Sequence, residues 1–241
     1  MIPKIIHYCW FGGNEMPQEV REFIDTARKH MPEFEIKIWT DENFDLNSHP
    51  FIKVAYMEKK WAYVTDFVRL KVLEEYGGIY MDTDVEVRKS LKKFLTHKAF
   101  TGCENEYYCI TATMGAVKEH PWIKRLLSYY DNPALIEGGK LQVRPNTAII
   151  TEITQSEWGW EPFDDYQVLK DGLHIYPSDV FCAKDIQTLK LNITDNTYTV
   201  HHFSGSWLSP ITQIKLKIRK LFPVFLIKKY HKIRKKVMVK G

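Results

Sequence analysis

Two aspartates separated by one residue, Asp82-Thr83-Asp84, follow the apolar run Ile79-Tyr80-Met81 directly. In extended chain, residues two apart point to the same side with Cα atoms about 6.5–7 Å apart, so two such carboxylates can converge on one cation. A hard divalent ion such as Mg²⁺ or Mn²⁺ accepts those oxygens and keeps positions open for water or phosphate. Spacing alone is a weak signal, because two solvated turn aspartates give the same pattern. Position strengthens it, since ligands of open α/β sheets bind beyond the carboxyl ends of buried strands.

Three other groups have types suited to the same chemistry. Asp66 and Arg69 stand three apart in a helical stretch and share a face; by pattern they read as a surface ion pair worth well under about 1 kcal/mol. His201-His202, followed by Ser206-Trp207, offers imidazole nitrogens and an indole donor; on a strand, neighbours face opposite ways, so at most one histidine can reach a given metal. Trp10-Phe11-Gly12-Gly13 places an aromatic ring before two glycines able to turn the backbone close to a ligand, although a core tryptophan and an ordinary tight turn fit as well. Glu104, Glu106 and Asn146 are weaker candidates for which surface placement is expected.

The elements that must position these residues alternate between short apolar runs and helical stretches, the pattern of an α/β sheet covered by helices. Strands are expected at Ile2–Trp10, Phe34–Trp39, Ile79–Met81, Lys98–Gly102, Tyr108–Ala116, Gly172–Tyr176 and Tyr198–Phe203. Helices are expected at Pro17–Met31, Trp61–Tyr76, Pro121–Tyr130 and Asn146–Glu157, the second ended by Gly77-Gly78.

Composition narrows the classes. With 241 residues, 44% hydrophobic and 27% charged, the chain can bury an ordinary core. No apolar run approaches the roughly 18–20 residues of a membrane span, and the start lacks the pattern of a secretory signal. Four scattered cysteines without a Cys-x-x-Cys pair read as reduced, buried thiols. Eleven of the 34 Lys and Arg fall in Gln213–Gly241, which has no acid, leaving 23 bases against 30 acids in residues 1–212. The expected organisation is therefore a catalytic domain over 1–212 and a basic amphipathic helical tail over 213–241. The tail suits an anionic membrane surface; the acidic body makes a nucleic-acid partner unexpected.

Four blocks together resemble a known family: Ile6-His7-Tyr8-Cys9-Trp10-Phe11-Gly12-Gly13, Trp61-Ala62-Tyr63-Val64-Thr65-Asp66-Phe67-Val68-Arg69, Gly77-Gly78-Ile79-Tyr80-Met81-Asp82-Thr83-Asp84 and His201-His202-Phe203-Ser204-Gly205-Ser206-Trp207. They resemble the DXD-containing glycosyltransferases of family 32, of the initiating mannosyltransferase and capsular polysaccharide type, and more distantly the glucosylating domain of large clostridial toxins. The resemblance implies a GT-A fold: a Rossmann-like mixed central sheet flanked by helices, binding a nucleotide-diphosphate sugar, a UDP-sugar foremost, with Mn²⁺ or Mg²⁺. Asp82, Asp84 and His202 are then the expected metal ligands. His7, Trp10, Gly12, Tyr63 and Thr83 are expected around the donor, with Trp10 stacking on the base. Asp66 and Arg69 would hold sugar and diphosphate, Ser206 and Trp207 the phosphates, and Ser204-Gly205-Ser206 would act as a lid. Catalysis would rest on Asp66, Arg69, Asp82, Asp84 and Trp207.

The implied reaction is retaining transfer of a sugar to a glycan or polyprenyl-diphosphate-linked oligosaccharide, in surface polysaccharide synthesis on the cytoplasmic face of a bacterial plasma membrane. Two other classes compete. A phosphotransferase of the haloacid-dehalogenase type also carries Asp-x-Asp after an apolar strand, and Asp164-Asp165 could supply its later acidic pair. A non-enzymatic lipid- or RNA-binding module would use the basic tail alone.

Overall fold

The structure, a computed structural model, describes residues 1–109, 112–186 and 188–205. The strands are β1 (Ile5–Cys9), β2 (Glu35–Trp39), β3 (Gly78–Met81), β4 (Val85–Val87), β5 (Ala99–Asn105), β6 (Tyr108–Cys109), β7 (Thr113–Ala116), β8 (Ile136–Glu137), β9 (Lys140–Leu141), β10 (Gln167–Leu169), β11 (Leu173–Tyr176) and β12 (Thr199–His201). The helices are α1 (Gln18–His30), α2 (Pro50–Met57), α3 (Trp61–Tyr76), α4 (Pro121–Ser128), α5 (Asn146–Trp158) and α6 (Ser178–Phe181).

The main sheet runs β10-β11-β5-β7-β3-β1-β2, with β6 added to β5. β1 is parallel to β2 and β3, β7 is antiparallel to β3 and β5, and β11 is parallel to β5. The carboxyl ends of β1, β3, β5 and β11 therefore share one edge. It is a mixed central sheet between helical layers, as expected.

Alternation along the strands divides the core. Ile79 and Met81 of β3 join Ile6 and Tyr8 of β1 in a layer with Val20 and Ile24 of α1 and Phe181 of α6. Tyr80, between them, faces the layer of α2, α3, α4 and α5. Helix α3 is closed by Gly77 at φ +66°, where an added Cβ would come within 2.7 Å of the Lys118 backbone nitrogen. Gly78 follows at φ +103°, against the Ile5 carbonyl, and admits the chain straight into β3.

Most of the expected elements are present with ends shifted by one to three residues. The run expected as one strand at Tyr108–Ala116 is divided into β6 and β7. All four cysteines are buried free thiols. Among the described residues no helix is long and apolar enough to cross a membrane. The tail 213–241 lies outside the described residues.

Candidate active site

The acidic pair does not lie in extended chain: β3 ends at Met81, and Asp82 to Asp84 form the turn into β4, closed by the Val85 amide donating to the Asp82 carbonyl at 3.1 Å. The Asp82 amide donates to the Ala112 carbonyl at 2.8 Å, tying the turn to the segment that enters β7.

Helix α3 brings Asp66 and Arg69 against that turn. Arg69 Nη2 lies 3.0 Å from Asp66 Oδ1 and 3.2 Å from Asp82 Oδ1, with its side chain only 6% exposed. The expected surface ion pair is thus corrected to a buried one, because α3 packs into the sheet on one side and α4 on the other and buries eight of its residues from Val64 to Leu73. The guanidinium also lies over the Tyr80 ring, 4.6 Å from its centroid, and Tyr80 donates its hydroxyl to Asp82 Oδ1 at 2.7 Å. Asn146, at the start of α5, donates to Asp66 Oδ1 at 2.9 Å. Burial raises the Asp66 carboxyl to about 6 although Arg69 pulls it down. Burial opposes the charge on Arg69, but Asp82, Tyr80 and Asp66 outweigh it, so the guanidinium is held firmly protonated.

A second ribbon completes the cluster from the far part of the chain. β12 pairs antiparallel with β4 in the register His201 to Val85, Val200 to Glu86 and Thr199 to Val87. The His202 amide donates to the Asp84 carbonyl at 2.9 Å and the Ser204 amide to Asp84 Oδ2 at 2.7 Å. This places His201 Nε2 at 3.2 Å from Asp84 Oδ1 and 3.9 Å from Asp82 Oδ2. Burial would raise the Asp84 carboxyl, but His201 and the Ser204 amide hold it down at about 2. Burial likewise opposes an imidazolium, yet Asp84 outweighs it and keeps the His201 pKa well above its ordinary value.

Asp82, Asp84 and His201 together could hold a metal ion, their ligand atoms lying within 4.8 Å of one another. The donor set fits a divalent cation: two carboxylate oxygens and one imidazole nitrogen, all half-buried, with the remaining ring nitrogen of His201 buried and without a hydrogen-bond partner among the described residues. His202, expected as the ligand, lies outside this group, and His201 takes its place there. Its own ring turns to the opposite face, bonds Glu86 Oε2 at 2.9 Å and stacks on Phe23 at 4.7 Å.

Along the same edge, after β1, Trp10 is half-buried and donates its indole N–H to the Asn14 carbonyl at 2.7 Å, closing the loop 10–14. Gly12 at φ +103° lets that loop turn against Trp61, whose Cε2 would lie 2.8 Å from an added Cβ. Sequence reasoning missed the residue that secures it. Asp41, beyond β2, accepts both the Gly12 and Gly13 amides at 3.0 Å. No short motif marks it, since the bond spans 29 residues.

The other expected residues divide. His7 is a structural histidine, not a donor contact: fully buried, it has Nε2 at 2.8 Å from the Gly77 carbonyl, accepts Trp39 Nε1–H at Nδ1, and is lowered to about 4 by burial. Thr83 sits half-buried in the turn between the aspartates. Tyr63 is half-buried one turn before Asp66, with the Lys60 ammonium 5.8 Å from its ring. Asn146, expected at the surface, is buried on Asp66, and Glu104, at the end of β5, is half-buried and raised by burial with His201 opposing. Glu106 is exposed. Ser206 and Trp207 lie outside the described residues. Asp164 takes no part in the cluster: its carboxylate accepts the Ser178 amide and hydroxyl, both at 2.6 Å, at the start of α6.

Residues 17–101 match the family model described as "Glycosyltransferase sugar-binding region containing DXD motif". Over 94% of its length the chain is 25% identical to an uncharacterised glycosyltransferase of Acanthamoeba polyphaga mimivirus, 92% of which is covered. Over 52% of its length it is 30% identical to inositol phosphoceramide mannosyltransferase 3 of Schizosaccharomyces pombe. It spans only 36% of that protein. Among solved structures, PaToxG glycosyltransferase superimposes with a TM-score of 0.48 at 19% identity, covering 65% of this chain and 69% of that one. Asp66, Arg69, Asp82 and Asp84 all fall inside the matched region, so the chain carries a segment similar to the sugar-binding region of DXD-containing glycosyltransferases.

Proposed function

We propose that the protein transfers a hexose from a nucleoside-diphosphate sugar to a hydroxyl of a glycan or lipid-linked saccharide, with a divalent cation at Asp82, Asp84 and His201. The observation that carries this reading is the convergence of those three residues, beside the buried Asp66–Arg69 pair, at the carboxyl edge of the sheet. A divalent cation there would neutralise the charge that develops on the departing diphosphate.

The chain's own residues prepare that position. Tyr80 and Arg69 both hold Asp82 Oδ1, so the carboxylate is fixed before anything binds, as electrostatic preorganisation requires. The Ser204 amide does the same for Asp84 Oδ2. Asn146 and Arg69 orient Asp66, whose carboxylate can accept sugar hydroxyls. Trp10, on its closed loop, offers a ring for the base. Among the described residues no carboxylate stands out as a covalent nucleophile, so retention by front-face attack is favoured, the departing phosphate oxygen taking the acceptor proton.

UDP-sugars are the donors favoured by the residue blocks, and relatives named as mannosyltransferases add mannose to the sugars to test. The basic segment 213–241 would dock the enzyme on an anionic surface near a lipid-linked acceptor, as in surface polysaccharide assembly at a bacterial membrane. The deciding experiment is a thermal-shift panel of UDP- and GDP-sugars with and without Mn²⁺. One donor should stabilise the protein only with the cation, and Asp84→Ala should abolish the shift. A panel in which no donor acts, or in which the variant responds like the wild type, refutes the reading.

A further inference from the structure

One carboxylate beside the acidic cluster stands without a partner. Strands β3 and β5 both run antiparallel to β7, so they are parallel to each other and their carboxyl ends share an edge. Glu104 stands at that end of β5, one residue before its last. The pairing of β5 with β6 passes from Cys103 and Cys109 directly to Asn105 and Tyr108, so two steps on β5 meet one on β6 and Glu104 is the extra residue of a bulge. A bulge bends its strand and re-aims a side chain that regular alternation would place elsewhere.

The surroundings show where this side chain is aimed. Burial raises the Glu104 carboxyl, and the His201 imidazolium opposes that rise. Burial also raises the Cys182 thiol, just after α6, while His201 draws it down and Glu104 pushes it up. The three side chains therefore share one space, His201 turning its Nε2 to Asp84 at 3.2 Å. Cys182 belongs to the layer of α1 and α6, whereas Asp66, Arg69 and Asn146 come from α3 and α5 on the other side of the sheet.

The other carboxylates of the site are each held by a protein donor: Asp66 by Asn146, Asp82 by Tyr80 and Asp84 by the Ser204 amide. Glu104 accepts no hydrogen bond and makes no ion pair among the described residues. It is half-buried, so it keeps a path to solvent. A partly dehydrated acceptor without a donor costs free energy, and a ligand hydroxyl would satisfy it.

The order of strands points to the ligand. Along β5-β7-β3-β1, Glu104 stands at the end of β5, the acidic turn follows β3 and Trp10 follows β1. A nucleotide with its base on Trp10 and its diphosphate at the acidic turn leaves Glu104 beyond the diphosphate, across the cluster from Asp66. In front-face attack the acceptor arrives beside the departing phosphate, next to the cation and its ligand His201.

We propose that Glu104 is the acceptor-binding carboxylate: it accepts a hydrogen bond from the hydroxyl next to the attacking one and so aims the attacking oxygen at the donor sugar. The proposal rests on the transfer reaction proposed above. In that reaction the attacking oxygen bonds to the anomeric carbon as the bond from that carbon to the phosphate oxygen breaks. The electron pair of the broken bond stays on the phosphate oxygen, which also takes the proton of the attacking hydroxyl. With that proton committed, Glu104 must be served by a second hydroxyl, so the acceptor is a ring with two neighbouring hydroxyls. When water takes the acceptor's place, its second hydrogen fills this role.

The test measures release of nucleoside diphosphate from the stabilising donor with Mn²⁺, alone and with a panel of p-nitrophenyl pyranosides. Wild type, Glu104→Ala and Glu104→Gln are compared, with the donor thermal shift taken on the same samples. The wild type should release slowly to water and faster with a pyranoside. Glu104→Ala should lower release about tenfold with donor KM and donor shift unchanged. Glu104→Gln, whose amide oxygen is a neutral acceptor of similar shape, should lose less. A deoxy pyranoside lacking the neighbouring hydroxyl should cost the wild type a similar factor and Glu104→Ala nothing further. Release unchanged in Glu104→Ala, or a deoxy penalty that persists in it, overturns the assignment and leaves the transferase reading standing. Loss of the donor shift in Glu104→Ala places the residue on the donor or the cation and also overturns it. Donor shifts in the wild type without release to water or to any pyranoside overturn it as well, since a seat for an acceptor hydroxyl also seats water. Absence of donor shifts in the wild type refutes the transferase reading itself.

Discussion

Arg69 is the side chain on which the most charge depends. It separates two carboxylates that would otherwise repel each other in a dry place, so Arg69→Ala leaves both uncompensated and should cost about 3–5 kcal/mol, read as a lower urea midpoint. Arg69→Lys should recover only part of this, since an ammonium lacks the planar fork that serves two acceptors. The histidines offer a sharper contrast: His201→Ala should abolish cation-dependent donor binding, whereas His202→Ala, which loses only the half-exposed Glu86 bond and the Phe23 stack, should retain it. The pH dependence has a defined sign. Asp84, depressed to about 2, contributes stability above its ordinary value of 3.8 and loses it as the pH falls toward 2. His201, raised, contributes below 6.5 and loses that contribution as the pH rises through its higher folded value. Without cation, Asp84→Asn should therefore lower the melting temperature most between about pH 4 and 6.5. The cation must displace the proton on His201, so Mn²⁺ affinity, measured by calorimetry, should rise with pH.

At the scale of elements, what could be read beforehand was what repeats or stops abruptly. α3 and β3 were legible because Gly77-Gly78 separates them and an apolar strand follows. α2 was not, since eight residues opening at Pro50 give too few turns for a periodic stripe. β4 was equally short; β12 falls inside the strand expected at Tyr198–Phe203, but with its partner unread the choice of histidine was lost. Strand alternation excludes one of His201 and His202, but only the pairing of His201 with Val85 tells which. Asp66 and Arg69 looked superficial because helical spacing shows who shares a face and not what covers it; α4, α5 and β3 cover this one. The loop 10–14 gives a prediction of its own. Asp41→Ala removes the acceptor of two amides at the surface, so it should weaken nucleotide binding by roughly tenfold while costing about 1 kcal/mol of stability. Titration of UDP, followed by quenching of tryptophan fluorescence, measures the first effect.

The whole molecule assembles one site from segments that are remote in the chain. Asp84 and Ser204, joined at 2.7 Å, stand 120 residues apart. Cation binding should consequently tighten the β4–β12 ribbon, and the amides of His202 and Ser204 should exchange more slowly with deuterium when Mn²⁺ is added, with little change in β1. The same connection orders events during synthesis. The acidic turn leaves the ribosome long before the histidine that faces it, and a partly made chain carries the aspartates without their third partner. Sugar nucleotide in the surrounding fluid would meet an inert nascent polypeptide, and competence would arrive in a single step once β12 has emerged.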